Sequence, residues 1–294
     1  MNYSYPLFRP PSEAHSIILQ ITEGCSFNRC SFCSMYREKD FAEKPLTQVL
    51  SEIKQMANAQ PQTRRVFLAD GDALVRDTAS LVSILEALYQ HFPALERVSS
   101  YALPSNLLNK STEQLTSLRK AGLKLLYYGL ETGCAELLKC ITKGATPKLI
   151  KTGLDKARTS GTEVSATIIL GLGGQHYWQQ HIEQTAKLVN ELQLNYLSTL
   201  QLKLDPSIEE EFLAKFKRQG KTYAPQNDSQ LLQEQALLIA LVSPQKSLTF
   251  RSNHASNALP LKGELPRDKT FLLNQLQLAA AGDIQLVPKW LRGL

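Results

Sequence analysis

The sequence predicts an α/β fold built as a partial (β/α)6 barrel of TIM-like type with a C-terminal extension. Six apolar runs of strand length alternate with stretches whose apolar residues recur at helical spacing. Such alternation gives a parallel sheet with right-handed crossovers. The pattern stops near residue 205, and six units are too few to close an eight-stranded barrel. At 294 residues with 43% hydrophobic content the chain is long enough to bury a full core. We divide it into an extended lead-in over 1–15, a barrel core over 16–205, and a helical extension over 206–294 that covers the barrel mouth.

The lead-in contains Pro6, Pro10 and Pro11, and prolines at that density keep a chain extended. Ser16 to Ile21 is the first strand and runs into a cysteine-rich loop. Leu46, Val49, Leu50, Ile53 and Met56 then recur at helical spacing, with Pro61 just beyond the helix they define. Val66 to Ala69 is the second strand, followed by Asp70-Gly71-Asp72 and a helix carrying Leu81, Ile84, Leu85 and Leu88. Arg97 to Leu103 is the third strand, and Pro104-Ser105-Asn106 turns the chain. Ser111, with Gln114 three residues on, starts a helix that ends near Gly122. Leu123 to Tyr128 is the fourth strand and leads into Gly129-Leu130-Glu131-Thr132-Gly133. Two helical pieces flank Gly144-Ala145-Thr146-Pro147, with Thr146 the N-cap of the second and Pro147 its first residue. Val164 to Leu170 is the fifth strand, entering Gly171-Leu172-Gly173-Gly174 and a helix with Trp178, Ile182, Val189 and Leu192. Tyr196 to Leu204 is the sixth. Beyond it, 209–219 and 229–242 read as helices, 247–251 as a short strand, 251–257 as a polar run, and about 268–281 as a last helix. The chain shows no fixed-period repeat and no low-complexity segment.

The formal charge is +6 and the pI near 9.0, but Lys and Arg are spread along the chain without a block. This describes a solvated basic surface and argues against a nucleic-acid partner. Three of the five cysteines fall within nine residues, and Cys134 and Cys140 sit six apart in one helical segment. That usage fits a reducing compartment. With no apolar leader and no apolar run of about 18 residues, we expect a cytoplasmic protein without a membrane partner.

The loop Ile21 to Tyr36, ITEGCSFNRCSFCSMY, carries Cys25, Cys30 and Cys33 as Cys-x4-Cys-x2-Cys. Structural zinc sites take four ligands in two pairs, whereas three close thiolates suit an iron–sulfur cluster with one iron left open. The loop resembles that of the radical S-adenosylmethionine (radical SAM) enzymes, in which an aromatic residue precedes the last cysteine as Phe32 precedes Cys33. Its longer first gap is similar to that of the anaerobic tetrapyrrole-type and Elp3-like branches. A zinc knuckle completed by His254 or another distant ligand is the alternative metal reading.

The resemblance implies the partial barrel independently. It also implies a 4Fe-4S cluster on the three cysteines and S-adenosyl-L-methionine on the open iron. A low-potential donor such as flavodoxin or ferredoxin then drives reductive cleavage to a 5′-deoxyadenosyl radical that abstracts hydrogen from a small or medium metabolite. Gly71 and Asp72 stand where the family's Gly-Gly-Glu motif binds the methionine ammonium, although a Gly-Asp turn explains the same letters. Gly129-Leu130-Glu131-Thr132-Gly133 resembles a Gly-Leu-Glu-Ser-Gly sequence whose acid lies near the cofactor; a structural salt bridge is the other account of Glu131. Ile168, Leu170 and Gly171 resemble the motif that packs against adenine, and core packing accounts equally for the two aliphatics.

Outside the barrel repeat, His254 is the candidate catalytic residue, crowded by Arg251, Asn253 and Asn257 in a run that could fold over the mouth. It reads equally as a structural hydrogen-bonder. Cys134 reads as a thiyl participant or as a small buried residue. The competing function class is a non-catalytic zinc or iron–sulfur protein on a barrel scaffold, and the substrate is not written in the sequence.

Overall fold

The computed structural model describes residues 3–293. In chain order its strands and helices are β1 Ile17–Gln20, β2 Thr22–Glu23, β3 Ala42–Glu43, α1 Leu46–Ala59, β4 Arg65–Ala69, α2 Thr78–His91, β5 Arg97–Ala102, α3 Pro104–Asn109, α4 Thr112–Lys120 and β6 Leu123–Glu131. They continue with α5 Ala135–Cys140, α6 Pro147–Thr159, β7 Glu163–Leu170, α7 Gly174–Glu191, β8 Tyr196–Gln201, α8 Pro206–Arg218, α9 Asp228–Leu241, β9 Leu248–Ser252, β10 Leu261–Leu265 and α10 Lys269–Ala281. This is the α/β class with mostly parallel strand pairing that the sequence predicts.

The chain divides into two compact units, the first holding 1–28, 35–128 and 152–164, the second 29–34, 129–151 and 165–294. In the first, β1, β4, β5 and β6 pair in parallel in that order, and β2 and β3 form a separate antiparallel pair. Val66, Phe67, Leu68 and Ala69 of β4 are all buried, as expected of a strand with neighbours on both sides and both faces covered. The caps follow the sequence. Ser111 Oγ accepts from Gln114 N while Gln114 Oε1 accepts from Ser111 N, a reciprocal pair of the kind worth about 1 kcal/mol.

Two local expectations change in this unit. Pro104-Ser105-Asn106 opens the short helix α3 rather than a turn, because the Asn106 side chain accepts from Leu103 N and so satisfies an amide at the helix start. The lead-in is not extended throughout: Pro11–Glu13 is a 3₁₀ turn, and it buries Glu13 completely. Burial of a carboxylate requires partners, and Glu13 has three. Arg97 Nη2 donates to Oε1 at 2.7 Å, the Tyr127 hydroxyl to the same oxygen at 2.6 Å, and the Ser16 hydroxyl to Oε2.

In the second unit β7, β8 and β9 pair in parallel and β10 returns antiparallel along β9. The segment after 205 is therefore only partly helical; two of its stretches extend the sheet. β9 takes the free edge of β8 by backbone hydrogen bonding, the most direct way to remove unpaired edge groups.

Candidate active site

At the C-terminal end of β4, Asp70 and Asp72 do different work. Asp70 Oδ2 accepts from Lys39 Nζ at 2.8 Å, Gly24 N at 3.2 Å and Gln20 Nε2 at 3.2 Å, and Asp70 N donates to Thr22 Oγ1 at 3.1 Å. Asp70 thus fixes the backbone one residue before Cys25. Asp72 is also buried; its Oδ2 takes the Ser26 hydroxyl, one residue after Cys25, and Oδ1 of each of the two acids is left without a hydrogen bond. Burial pushes the Asp72 carboxyl up from its ordinary value. A buried acceptor without a donor fits an incoming cation; Asp70 already carries Lys39 on its other oxygen, whereas among the described residues no cation lies within ion-pair distance of Asp72. Between them Gly71 lies against the Tyr36 ring, so closely that a Cβ would come within 2.5 Å of it.

The rest of the loop belongs to the second unit. Ser31 N donates to Ile141 O at 3.0 Å and Ser31 Oγ to Cys140 O at 3.3 Å, using carbonyls that the end of α5 leaves without helical partners. Cys33 N closes a turn on Cys30 O at 3.1 Å. Cys25, Cys30 and Cys33 are partly accessible, whereas Cys134 and Cys140 are buried. Burial pushes the Cys140 thiol up to about 11, which keeps it protonated and unreactive. Among the described residues no three His, Cys, Asp or Glu side chains are gathered round one point.

Glu131, which has φ of +61°, closes β6. Its Oε1 accepts from Lys143 Nζ at 2.8 Å, with both side chains largely buried, so the salt bridge left open by the sequence is present. Lys143 Nζ also lies 5.9 Å from the centroid of the Phe32 ring, joining the acid to the aromatic of the cysteine loop. The carboxylate folds over Gly129, in the space that any larger residue's Cβ would fill.

The end of β7 shows what sequence reading missed. Gly171 N donates to Glu234 Oε2 of α9 at 2.9 Å, and Gly171 O accepts from the Tyr223 hydroxyl at 3.1 Å. Gln175 N and Nε2 donate to Ala224 O and Pro225 O, each at 2.8 Å, so the α8–α9 connection holds the whole glycine turn. Beneath it His181 of α7 is fully buried; Nε2 donates to Ile169 O at 3.0 Å, and Nδ1, 2.8 Å from Thr132 Oγ1, takes the hydroxyl proton. Burial pushes His181 down to about 4 and Glu234 up to about 8. At neutral pH both are uncharged, and their 3.6 Å approach is a neutral contact. The sequence signal was an acid, Glu234, inside the apolar stretch of α9.

Ile168 pairs in register with Thr199, whose Oγ1 meets Gln235 Nε2 of α9 at 3.5 Å. Ile168 therefore lies on the helix-covered face, and strand alternation puts Thr167 and Ile169 on the opposite one.

His254 follows β9. Its Nδ1 accepts from Ser256 N at 3.1 Å and from the Ser256 hydroxyl at 2.8 Å, and Ser256 Oγ in turn accepts from Gln201 N at the end of β8. Two donors on Nδ1 place the ring proton on Nε2. Burial pushes the His254 pKa down, favouring the neutral ring. Asn257 is buried and bonds Thr199 O at 2.8 Å and Ser252 Oγ at 3.0 Å, so it ties the run to the sheet.

Residues 19–189, more than half of the chain, match the family model of the Radical SAM superfamily. Heme chaperone HemW of Bacillus subtilis is 24% identical over 184 residues, covering 60% of this chain and 48% of that protein. GTP 3′,8-cyclase of Marinobacter nauticus is 30% identical over 149 residues, covering 49% of this chain and 41% of that one. Among solved structures, coproporphyrinogen III oxidase (HemN) from Escherichia coli, a radical SAM enzyme, shares the fold with a TM-score of 0.56 at 20% identity, over 78% of this chain and 52% of that one. The chain spans about half the length of the curated relatives it matches.

Proposed function

Because the chain belongs to the Radical SAM superfamily, whose members are enzymes that use a 4Fe-4S cluster and S-adenosylmethionine, we propose that it is an enzyme of the tetrapyrrole-type and Elp3-like branch acting on a small or medium metabolite. The cluster and its sulfonium ligand supply hydrogen abstraction after one-electron reductive cleavage, with the electron coming from a donor such as flavodoxin or ferredoxin. The protein's part is to bind, orient and exclude.

In this reading Cys25, Cys30 and Cys33 hold the cluster. The observation that carries it is the pair of fixings around Cys25, Gly24 N on Asp70 and Ser26 Oγ on Asp72, each acid keeping one buried oxygen open and Asp70 alone carrying a cation, Lys39. Asp72 Oδ1 would accept from the methionine ammonium, with the backbone of Gly71 beside it, while the missing Cβ of Gly71 makes room for the Tyr36 ring. Glu131, held by Lys143, is the second acid toward the cofactor, with Phe32 alongside. The backbone from Ile168 to Gly171 and the side chain of Ile169 border the adenine. His254 presents its Nε2 proton toward the substrate from a run over the strand ends.

The test is anaerobic reconstitution followed by iron and sulfide analysis and a search for 5′-deoxyadenosine. About four irons with matching sulfide, and release of 5′-deoxyadenosine under reduction, are expected. One zinc per chain with no release would replace this reading with a structural metal site.

A further inference from the structure

The sheet register of the second unit aligns four polar side chains across four neighbouring strands. Thr167 of β7 pairs with Ser198 of β8, Ser198 with Arg251 of β9, and Arg251 with Lys262 of β10. Register partners point to the same side, so the four form one row with neighbours about 4.8 Å apart.

The row lies on the face that the helices leave open. Phe250, next to Arg251, is fully buried, and its register partner Gly263 sits against Leu272 of α10. Alternation sends Arg251 the other way. Thr167, Ser198 and Arg251 are accordingly part-exposed and Lys262 is exposed. The Arg251 guanidinium lies over the ring of Tyr196, two residues before Ser198 on the same face, with its carbon 5.4 Å from the centroid. Stacking holds the group while leaving its N–H edge for a ligand.

No acid answers these two cations. Glu264, two residues from Lys262, accepts from Thr249 Oγ1 at 2.8 Å and Ser247 Oγ at 3.0 Å. Among the described residues no carboxylate comes within ion-pair distance of Arg251 or Lys262. A guanidinium held over a ring and an exposed ammonium beside two hydroxyl donors match an oxyanion, and a planar guanidinium suits carboxylate or phosphate alike.

We propose that the Thr167–Ser198–Arg251–Lys262 row binds an oxyanion of the substrate, which is therefore an anionic small molecule carrying a carboxylate or phosphate. This deepens the enzyme reading above and rests on it for the word substrate. Thr167 and Ser198 stand three residues before the last residues of their strands, so the anion is anchored about 10 Å below the strand ends. The remainder of the molecule then reaches up toward those ends.

The test is calorimetric titration of the reconstituted protein with inorganic phosphate and, separately, acetate, with 5′-deoxyadenosine release measured on the same preparations. We expect saturable binding of at least one probe, weakened tenfold or more by Arg251→Gln, partly restored by Arg251→Lys, weakened less by the surface variant Lys262→Gln, and unchanged by Lys246→Gln outside the row. Preference for phosphate assigns a phosphorylated substrate, and binding of acetate assigns a carboxylate. Failure of the parent to bind either probe overturns the proposal, as does parent-like binding by both Arg251→Gln and Lys262→Gln. Probe binding without 5′-deoxyadenosine release keeps the row and removes the enzyme reading; release without probe binding does the reverse.

Discussion

Glu234 and Gly171 are 63 residues apart in sequence and 2.9 Å apart as acceptor and donor, so a helix outside the βα repeat fixes the backbone at the end of the fifth predicted strand. The acid is protonated at neutral pH, which leaves Oε2 as a carbonyl-type acceptor. Glu234→Gln preserves that acceptor and should bind S-adenosylmethionine within about twofold of the parent. Glu234→Leu removes it, and leaving a buried amide unsatisfied costs on the order of 1–3 kcal/mol. Equal dissociation constants for the parent and Leu proteins in equilibrium dialysis would show that the turn does not need this bond.

The same residue makes a pH prediction. Its carboxyl rises from an ordinary 4.5 to about 8 on folding, so the folded chain holds a proton that the unfolded chain releases. The associated stability is complete below 4.5 and is lost as pH rises through 8. His181, pushed down to about 4, works in the opposite direction: its contribution is present above 6.5 and lost as pH falls through 4. Urea midpoints measured from pH 5 to 8.5 should fall more steeply for the parent than for Glu234→Gln.

Replacing Cys25, Cys30 or Cys33 by Ala should abolish iron and sulfide retention while leaving the far-ultraviolet circular dichroism near that of the parent. The thiols lie on a loop, and the strands draw stability from buried residues such as Phe67, Leu68 and Ile168. Full iron retention by Cys30→Ala would remove the cluster assignment.

Asp72→Asn and Asp70→Asn should differ in kind. The first removes a charge that no cation of the described residues pairs and should weaken S-adenosylmethionine binding about tenfold or more, since charge-assisted hydrogen bonds contribute on the order of 1.5–3 kcal/mol. The second uncouples Lys39, which also donates to Ser4 O and Pro6 O at 2.6 Å each. Its signature is a lower thermal midpoint, with a smaller effect on cofactor affinity once iron content is matched. The reverse ranking of affinities would exchange the roles of the two acids.

His254→Ala should retain iron and bind S-adenosylmethionine, because among the described residues Nδ1 is engaged with Ser256 alone. With a substrate in hand, the variant should form less product for each 5′-deoxyadenosine released, and an unchanged ratio would make His254 a residue that merely shapes its loop.

The strands and helices of the repeat were legible because each is a contiguous apolar pattern. Thr146 at the start of α6 and the Ser111–Gln114 pair at α4 were readable because capping partners lie three residues apart. Glu13, Tyr223 and Glu234 were not, since their partners Arg97 and Gly171 lie 84, 52 and 63 residues away. Adjacent letters give no sign of such pairings. The cysteines were legible as a motif, while the division of labour between Asp70 and Asp72 depends on Lys39, an ordinary lysine in the sequence. β10 escaped notice because Gly263 and the flanking Pro260 and Pro266 mark a loop, whereas its pairing with β9 supplies the hydrogen bonds that local propensity does not favour.

The hold of Tyr223 and Glu234 on Gly171 also orders events during synthesis. On the ribosome the glycine turn emerges 52 and 63 residues ahead of the groups that fasten it. A nascent chain thus carries the cysteine loop and this turn well before the turn has its final hydrogen bonds. A translation product stalled at the end of α8, before Tyr223, would carry the turn without either of these bonds.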